Sequence, residues 1–569
     1  MYRRIFSALI LILACSLAEA APFIPEQPII PVSELKPGMT GYILTVIKGT
    51  VPERIPIKIV SIVPDKPGRE LSDRILFRIT GKHKLAQGMS GSPVYVRGRL
   101  AGGVRSGWDL SDHMLGFATP IESMCAVFTN YSPKPRPTAD TNSLTSVYIS
   151  GISPGNSSIQ SMGRTLGLSF VQGVSSGAES FSLSTERLRP GDPVGALFVW
   201  GDVEVGAFGT VTATARDGRF LAFAHDLNKA GLVSYPASKA YVHDTIDSIA
   251  FPFKLSSSQS INGTFTQDRE AGAGGRFGVY PPSISATLIF KDLDINKEDK
   301  FAFRVIADEF MSRELLTKVF SALVEEAWGR KGQGTMSVNL RIDGKVAPEG
   351  WSRKEIFYSD ENIFKDAFKQ AGAIIDAVLT QPFTETMPAG FTLTVEATQK
   401  PKILLIEDVK LSADTARPGD EVGVTVTLRG WRTRPTKHTF TMKIPEDASE
   451  GTCELIVRGG STDPMGQISV DEGWKSINSL QRMLAEFKAV DANNELILEI
   501  NVDRLNNALK KALARRNGKK TNRDPDLLPE EEEYLSETKI RRIEEGSLRI
   551  YRSDYFIDGM MKRLIHVEK

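Results

Sequence analysis

The chain has 569 residues, with 70 Lys+Arg against 69 Asp+Glu and a hydrophobic fraction of 41%. Balanced charge excludes a nucleic-acid binder that works through bulk counterion replacement, and the apolar content excludes an acidic disordered chain. At about 150 residues per domain the length calls for three or four domains, and Gly 48 with Pro 31 points to many turns and much β structure.

Arg3 and Arg4 precede the apolar run Ile5–Ala14, and Ala18-Glu19-Ala20 follows as a small-x-small cleavage site. This is the pattern of an export signal over residues 1–20, so the expected location is the periplasm or cell envelope. Its removal leaves 68 charges of each sign. The run is too short to span a membrane, and no second long apolar run follows, so no transmembrane span is expected in the mature chain. Ile12-Leu13-Ala14-Cys15 loosely resembles a lipobox, which leaves a lipoprotein anchored through Cys15 as an alternative. Beyond the signal only Cys125 and Cys453 remain. They fall in different predicted domains, so no disulfide is expected. No Cys/His cluster has metal-ligand spacing, and neither metal nor cofactor is called for.

Residues 30–125 carry strand-like runs at 43–47, 57–63, 75–79 and 93–96, punctuated by Gly and Pro. Residues 141–190 are Ser/Gly-rich and are assigned to a connector. A second β-rich block covers 191–295, with a hairpin expected across Arg216-Asp217-Gly218. Near residue 305 the period changes. Ser312 is placed as the cap of a helix whose face is Leu315, Leu316, Val319, Phe320, Leu323 and Ala327, and Ser359 starts a second helix that Pro382 ends. With the strands around them these helices make an α+β domain, 296–395. Val422, Val424, Val426 and Leu428 alternate with polar or small residues, and 396–502 is assigned to an immunoglobulin-like β-sandwich. Residues 503–569 combine a basic run at 510–523, an acidic run at 524–533 and a final strand over 555–567. Adjacent runs of opposite sign describe a solvated linker rather than a nucleic-acid arm.

The string with chemical content is Gln87-Gly88-Met89-Ser90-Gly91-Ser92-Pro93. A serine nucleophile needs an exposed hydroxyl on a tight turn, with backbone N–H groups aimed where oxyanion charge develops. Glycines on both sides of Met89-Ser90 permit that turn, and Pro93 fixes entry into the next strand. A bare Gly-x-Ser-Gly is common in ordinary β turns. Here it stands with Pro37-Gly38-Met39-Thr40-Gly41, with Gly209-Thr210-Val211-Thr212, and with Leu221-Ala222-Phe223-Ala224-His225. Together with Phe251-Pro252-Phe253-Lys254 and the run 263–269, these strings resemble the sporulation stage IV B serine peptidase family over residues 30–290.

That resemblance implies a chymotrypsin-like double β-barrel, 21–140 and 191–295, with the Ser and His halves in swapped chain order. The overall fold class is then mainly β and multidomain. It implies Ser90 as nucleophile, His225 as general base, and the backbone N–H groups of Gly88 and Ser90 as oxyanion hole. The expected partner is a polypeptide substrate or an envelope protein. The family's third member, an Asp on the strand before the Ser loop, is replaced by Gly81. Asp226, Asp73, Asp109 and Asp112 are candidates only by their place in the chain. Ser92 is the alternative hydroxyl; His83 and His113 are assigned packing or surface roles. Residues 271–276 are assigned to a loop of the same family. The rival reading is an inactive peptidase-like scaffold that binds envelope proteins.

Overall fold

The computed structural model describes residues 22–64, 73–129, 145–175, 181–348, 350–461, 477–501 and 535–568. The expected export signal over 1–20, with Cys15, and the charged runs at 510–533 lie outside the described residues. Strand is the dominant regular structure. The chain forms two compact units, one of residues 1–286 with 301–323 and one of 287–300 with 324–569. The break therefore falls inside the strand Ser283–Asp292, earlier than the expected boundary at 295.

In the first unit, six strands close a barrel: β1 (Thr40–Thr45), β2 (Glu53–Val63), β3 (Arg74–Ile79), β4 (Pro93–Val96), β5 (Arg99–Ser106) and β6 (Leu115–Pro120). They pair in the order β1-β2-β3-β6-β5-β4, and β4 returns to β1. The closure follows from alternation. Ile55, Ile57 and Ile59 of β2 point inward between exposed Arg54, Pro56 and Lys58, and meet Ile43, Ile75, Phe77 and Val94 in one core. Each such isoleucine contributes about 2 kcal/mol by leaving water.

A second ring of pairing uses β9 (Pro193–Gly201), β10 (Glu204–Thr214), β11 (Arg219–Ala222), β12 (Gly231–Ile246), β13 (Phe253–Arg269) and β14 (Gly272–Phe277). Its order is β9-β12-β13-β14-β11-β10, and β10 pairs back to β9 from Thr210↔Pro193 to Val205↔Val199. β9 and β10 are buried along nearly their whole length, as strands covered on both faces must be. The hairpin at Arg216–Gly218 is present between β10 and β11, closed by Ala215 N–H on the Arg219 carbonyl. Residues 271–276, expected as a loop, lie instead largely in β14, where four small residues let β11 and β13 approach from either side.

The expected connector is also corrected in part. Within 141–190, β7 (Thr145–Ser150), the helix Ser157–Leu166 and β8 (Leu168–Gln172) form a β-α-β unit with β7 and β8 parallel. The Asn156 side chain caps the helix and left-handed Gly167 ends it. β7 pairs with β10 and so extends the second ring. Low periodicity hid this unit because both strands are short.

The two rings meet through their loops. Gly49 and Val242 exchange backbone hydrogen bonds of 2.7 and 3.1 Å, and Thr210 N–H donates to the Ser90 carbonyl at 2.8 Å. Asp308, not Ser312, caps the helix Met311–Trp328: its carboxylate accepts from Phe310 and Met311 N–H, while Ser312 Oγ turns back to the Ile306 carbonyl.

The second unit contains the antiparallel strands Ser352–Ser359, Gly334–Asp343 and Gly390–Thr398, with helices Phe364–Ala367 and Lys369–Thr380 replacing the single expected helix. Two further sheets share a core in which Val422, Val424, Val426 and Leu428 meet Leu455, Val457, Leu496 and Leu498. Among its described residues the final segment supplies three strands to these sheets: Gly559 divides the one expected over 555–567 into Phe556–Asp558 and Met560–Val567, and Leu548–Arg552 precedes them. Among the described residues no helix is long and apolar enough to cross a membrane.

Candidate active site

The Ser90 turn is built by its glycines. Gly88 and Gly91 have φ of +87° and +85°, a region that costs other residues about 1 kcal/mol or more. Between them Met89 drops into the barrel core, at 1% exposure, which leaves Ser90 facing outward. The Gln87 backbone is stapled to the start of β13: Gln87 N–H donates to the Pro252 carbonyl at 2.8 Å, and Lys254 N–H donates to the Gln87 carbonyl at 3.0 Å. The N–H groups of Met89, Gly91 and Ser92 are given to Ala86, Val104 and Met89. Those of Gly88 and Ser90 have no acceptor among the described residues, and both residues line the same cleft.

His225 reaches this turn from the end of β11. Phe223 and Ala224 take left-handed φ values of 66° and 56° without being glycine, which throws the next side chain out of the sheet direction. The Ala224 carbonyl is held by Thr119 Oγ1 at 2.6 Å and Arg105 Nη1 at 3.2 Å. Beyond the histidine, the buried Asp268 carboxylate accepts from the N–H groups of Leu227, Asn228 and Ala230 at 2.7, 2.8 and 3.2 Å. His225 Nε2 lies 2.9 Å from Ser90 Oγ, and Nδ1 lies 2.6 Å from the Asp226 backbone carbonyl. A carbonyl can only accept, so Nδ1 carries the proton and Nε2 presents its lone pair to the serine hydroxyl.

The electrostatics favour a neutral imidazole. Burial, and the Arg105 guanidinium, hold His225 below its ordinary value against the opposing Asp226 carbonyl bond and carboxylate charge. Burial pushes Asp268 up to about 6 in spite of its three N–H donors.

The sequence brought Ser90, His225, Gly88 and Asp226 forward, and the fold places all four on one cleft of about 460 Å³. Asp226 meets the imidazole through its carbonyl rather than its carboxylate. Asp109 lines the cleft wall. Asp112 is committed to Arg78 and to the Met114 N–H, each at 3.1 Å. Among the described residues the two ring nitrogens of His225 meet Ser90 and the Asp226 carbonyl, not Asp73. Ser92 is fully buried, with its hydroxyl on Thr45 and Thr210, which closes it to substrate. His83 lies 4.0 Å from Glu53, and His113 packs edge-on against Phe251.

Sequence reasoning missed Asp268, Tyr148 of the cleft wall, and Lys254. Asp268 lay inside the run 263–269, where only its neighbours in space, 38 to 41 residues earlier, show what it does. Among the described residues no cluster of three or more His, Cys, Asp or Glu is arranged to hold a metal. Comparison with known proteins returns no matching family model, no matching curated protein and no matching solved structure.

Proposed function

We propose that the chain is a serine endopeptidase of the sporulation stage IV B type, exported and acting on polypeptides of the cell envelope. The observation that carries this reading is the 2.9 Å approach of Ser90 Oγ to His225 Nε2 across 135 residues of chain. Ser90 Oγ attacks the scissile carbonyl as its proton passes to Nε2. The oxyanion is received by the N–H groups of Gly88 and Ser90. The imidazolium then protonates the leaving amine, and water, activated by the same nitrogen, releases the acyl group. Two closed rings of six strands that meet at the site support a chymotrypsin-like double barrel in permuted order. The two sheets around Val424 and Leu455 support an immunoglobulin-like accessory domain.

The second reading is a scaffold of the same fold without turnover. What favours it is Nδ1, which meets a carbonyl where a peptidase triad offers a carboxylate. A fluorophosphonate probe on the full chain separates the two. Labelling that disappears in Ser90→Ala and in His225→Ala supports the peptidase. Folded protein that stays unlabelled between pH 5 and 9 establishes the scaffold.

A further inference from the structure

Lys254 is 1% exposed, no carboxylate approaches its Nζ among the described residues, and burial brings its pKa down to about 7. A lysine in that position is costly unless the fold uses it. Its stem packs under Gly88: a Cβ on that glycine would come within 3.2 Å of the Lys254 Cβ and Cδ.

Two sets of bonds leave the residue, and each ends on one of the two peptide groups that flank Gly88. First, Lys254 N–H holds the Gln87 carbonyl at 3.0 Å. In a trans peptide the carbonyl and the next N–H point in opposite directions, so this bond turns Gly88 N–H away from β13. Second, Lys254 Nζ donates to Thr45 Oγ1 at 2.7 Å, and Thr45 Oγ1 stands 2.8 Å from Ser92 Oγ. Ser92 Oγ stands 3.1 Å from Thr210 Oγ1, which donates to the Gly88 carbonyl at 3.1 Å. A carbonyl can only accept, so the order is fixed from the Gly88 end: Thr210 donates to Gly88, Ser92 to Thr210 and Thr45 to Ser92, which leaves Thr45 Oγ1 to accept from Lys254 Nζ.

We propose that Lys254 is a positioning residue for the oxyanion hole, clamping both peptide planes that flank Gly88, one through its main chain and one through the hydroxyls of Thr45, Ser92 and Thr210. The proposal rests on the peptidase reading and assigns Lys254 no contact with substrate. It gives the left-handed Gly88 a second support beyond its own conformational freedom. It also explains why three hydroxyls and a lysine amine occupy a position that apolar side chains of equal size could fill more cheaply.

The test is the rate of fluorophosphonate labelling of the full chain, resolved into a maximal rate and a half-saturating concentration. Thr45→Val keeps the side-chain shape and removes the hydroxyl; Thr45→Ser restores it. The expected result is a maximal rate about ten-fold or more lower in Thr45→Val, with half-saturation within about two-fold of the parent, and recovery in Thr45→Ser. Ser92→Ala, which cuts the chain one link further on, should behave like Thr45→Val and serves if that variant does not fold. Wild-type labelling rates in both folded variants overturn the clamp while leaving the peptidase intact. A parent protein that labels no faster than Ser90→Ala overturns the peptidase reading and the clamp together.

Discussion

The Asp226 backbone carbonyl stands 2.6 Å from His225 Nδ1, in the place where a triad would present a carboxylate. A carbonyl fixes the tautomer and the ring plane as a carboxylate does, but it offers no full charge to the imidazolium that forms during attack. Because the orienting atom belongs to the main chain, Asp226→Asn leaves it in place. The expected loss in fluorophosphonate labelling is less than about ten-fold, against the roughly 10⁴-fold loss seen when a triad aspartate becomes asparagine. The Asp226 charge raises the His225 pKa, so the acid limb of the labelling profile should move to lower pH in this variant. A loss of several orders of magnitude would show that the carboxylate itself acts.

Arg105 gives the opposite shift. Its charge lowers the His225 pKa in concert with burial, while its Nη1 holds the carbonyls of Ala224 and Glu270 at 3.2 and 2.7 Å. The labelling rate of the parent should rise through a midpoint below about 6.5, the ordinary value for histidine. Arg105→Met removes a lowering influence, so its midpoint should lie above that of the parent. Arg105→Lys keeps the charge and should stay near the parent. Profiles recorded in parallel at constant ionic strength decide the order, and a midpoint that falls in Arg105→Met contradicts the assignment.

How far the sequence reaches is visible in single residues. Ser90 was legible because a nucleophile turn requires glycines at fixed spacing, and that requirement is local. β2 was legible from residue 57 onward, where Ile57, Ile59 and Ile62 stand among Lys58 and Ser61, while its start at Glu53, ahead of Pro56, was not. Lys254 was not. At the end of Phe251-Pro252-Phe253-Lys254 it has the look of a surface charge, and its burial exists only because Gln87 pairs with Phe253. Thr45 and Ser92 were equally opaque, since a hydroxyl at a strand end states nothing about a partner 209 or 118 residues away. The orienting carbonyl of Asp226 could not be read at all, because every residue carries one. The β-α-β unit at 145–172 escaped because its two strands have five or six residues each and little period.

Asp268 ties the site to stability. Its two oxygens accept three N–H groups from the loop that follows His225. An asparagine can match only one oxygen of the pair, so Asp268→Asn leaves at least one buried N–H facing an NH₂ group. That costs about 1–3 kcal/mol. Burial holds the folded-state pKa at about 6, above the ordinary aspartate value of 3.8. Between roughly pH 4 and 6 the unfolded chain therefore ionises here while the folded chain keeps its proton, and stability falls as pH rises through that window, then levels off. Asp268→Asn lacks this dependence. Urea unfolding should show the gap between parent and variant narrowing from pH 4 to 6 and constant above it. Labelling should drop more than in Asp226→Asn, because the loop that sets His225 has lost its anchor.

The tightest steric constraint in the site falls on Gly91. Besides its φ of +85°, a Cβ there would stand 2.2 Å from the Thr210 carbonyl oxygen and 2.3 Å from the Phe223 nitrogen, both main-chain atoms with no rotamer to yield. Thr212 Oγ1 also donates to the Gly91 carbonyl at 2.6 Å, so the turn cannot slide away without breaking that bond. Gly91→Ala must therefore push the Ser90 turn off β10 and off the residues that set His225. Gly98 is the matched control: its φ is +73°, yet nothing lies within 4 Å of its Cβ position. Gly98→Ala carries only the conformational cost of about 1 kcal/mol, a few degrees in melting temperature at most. Gly91→Ala carries that cost and the clash, and should lose on the order of 4 kcal/mol or fail to fold, with no fluorophosphonate labelling in whatever folds. Equal melting temperatures for the two variants would mean that the Ser90 turn and β10 are not packed against each other as described.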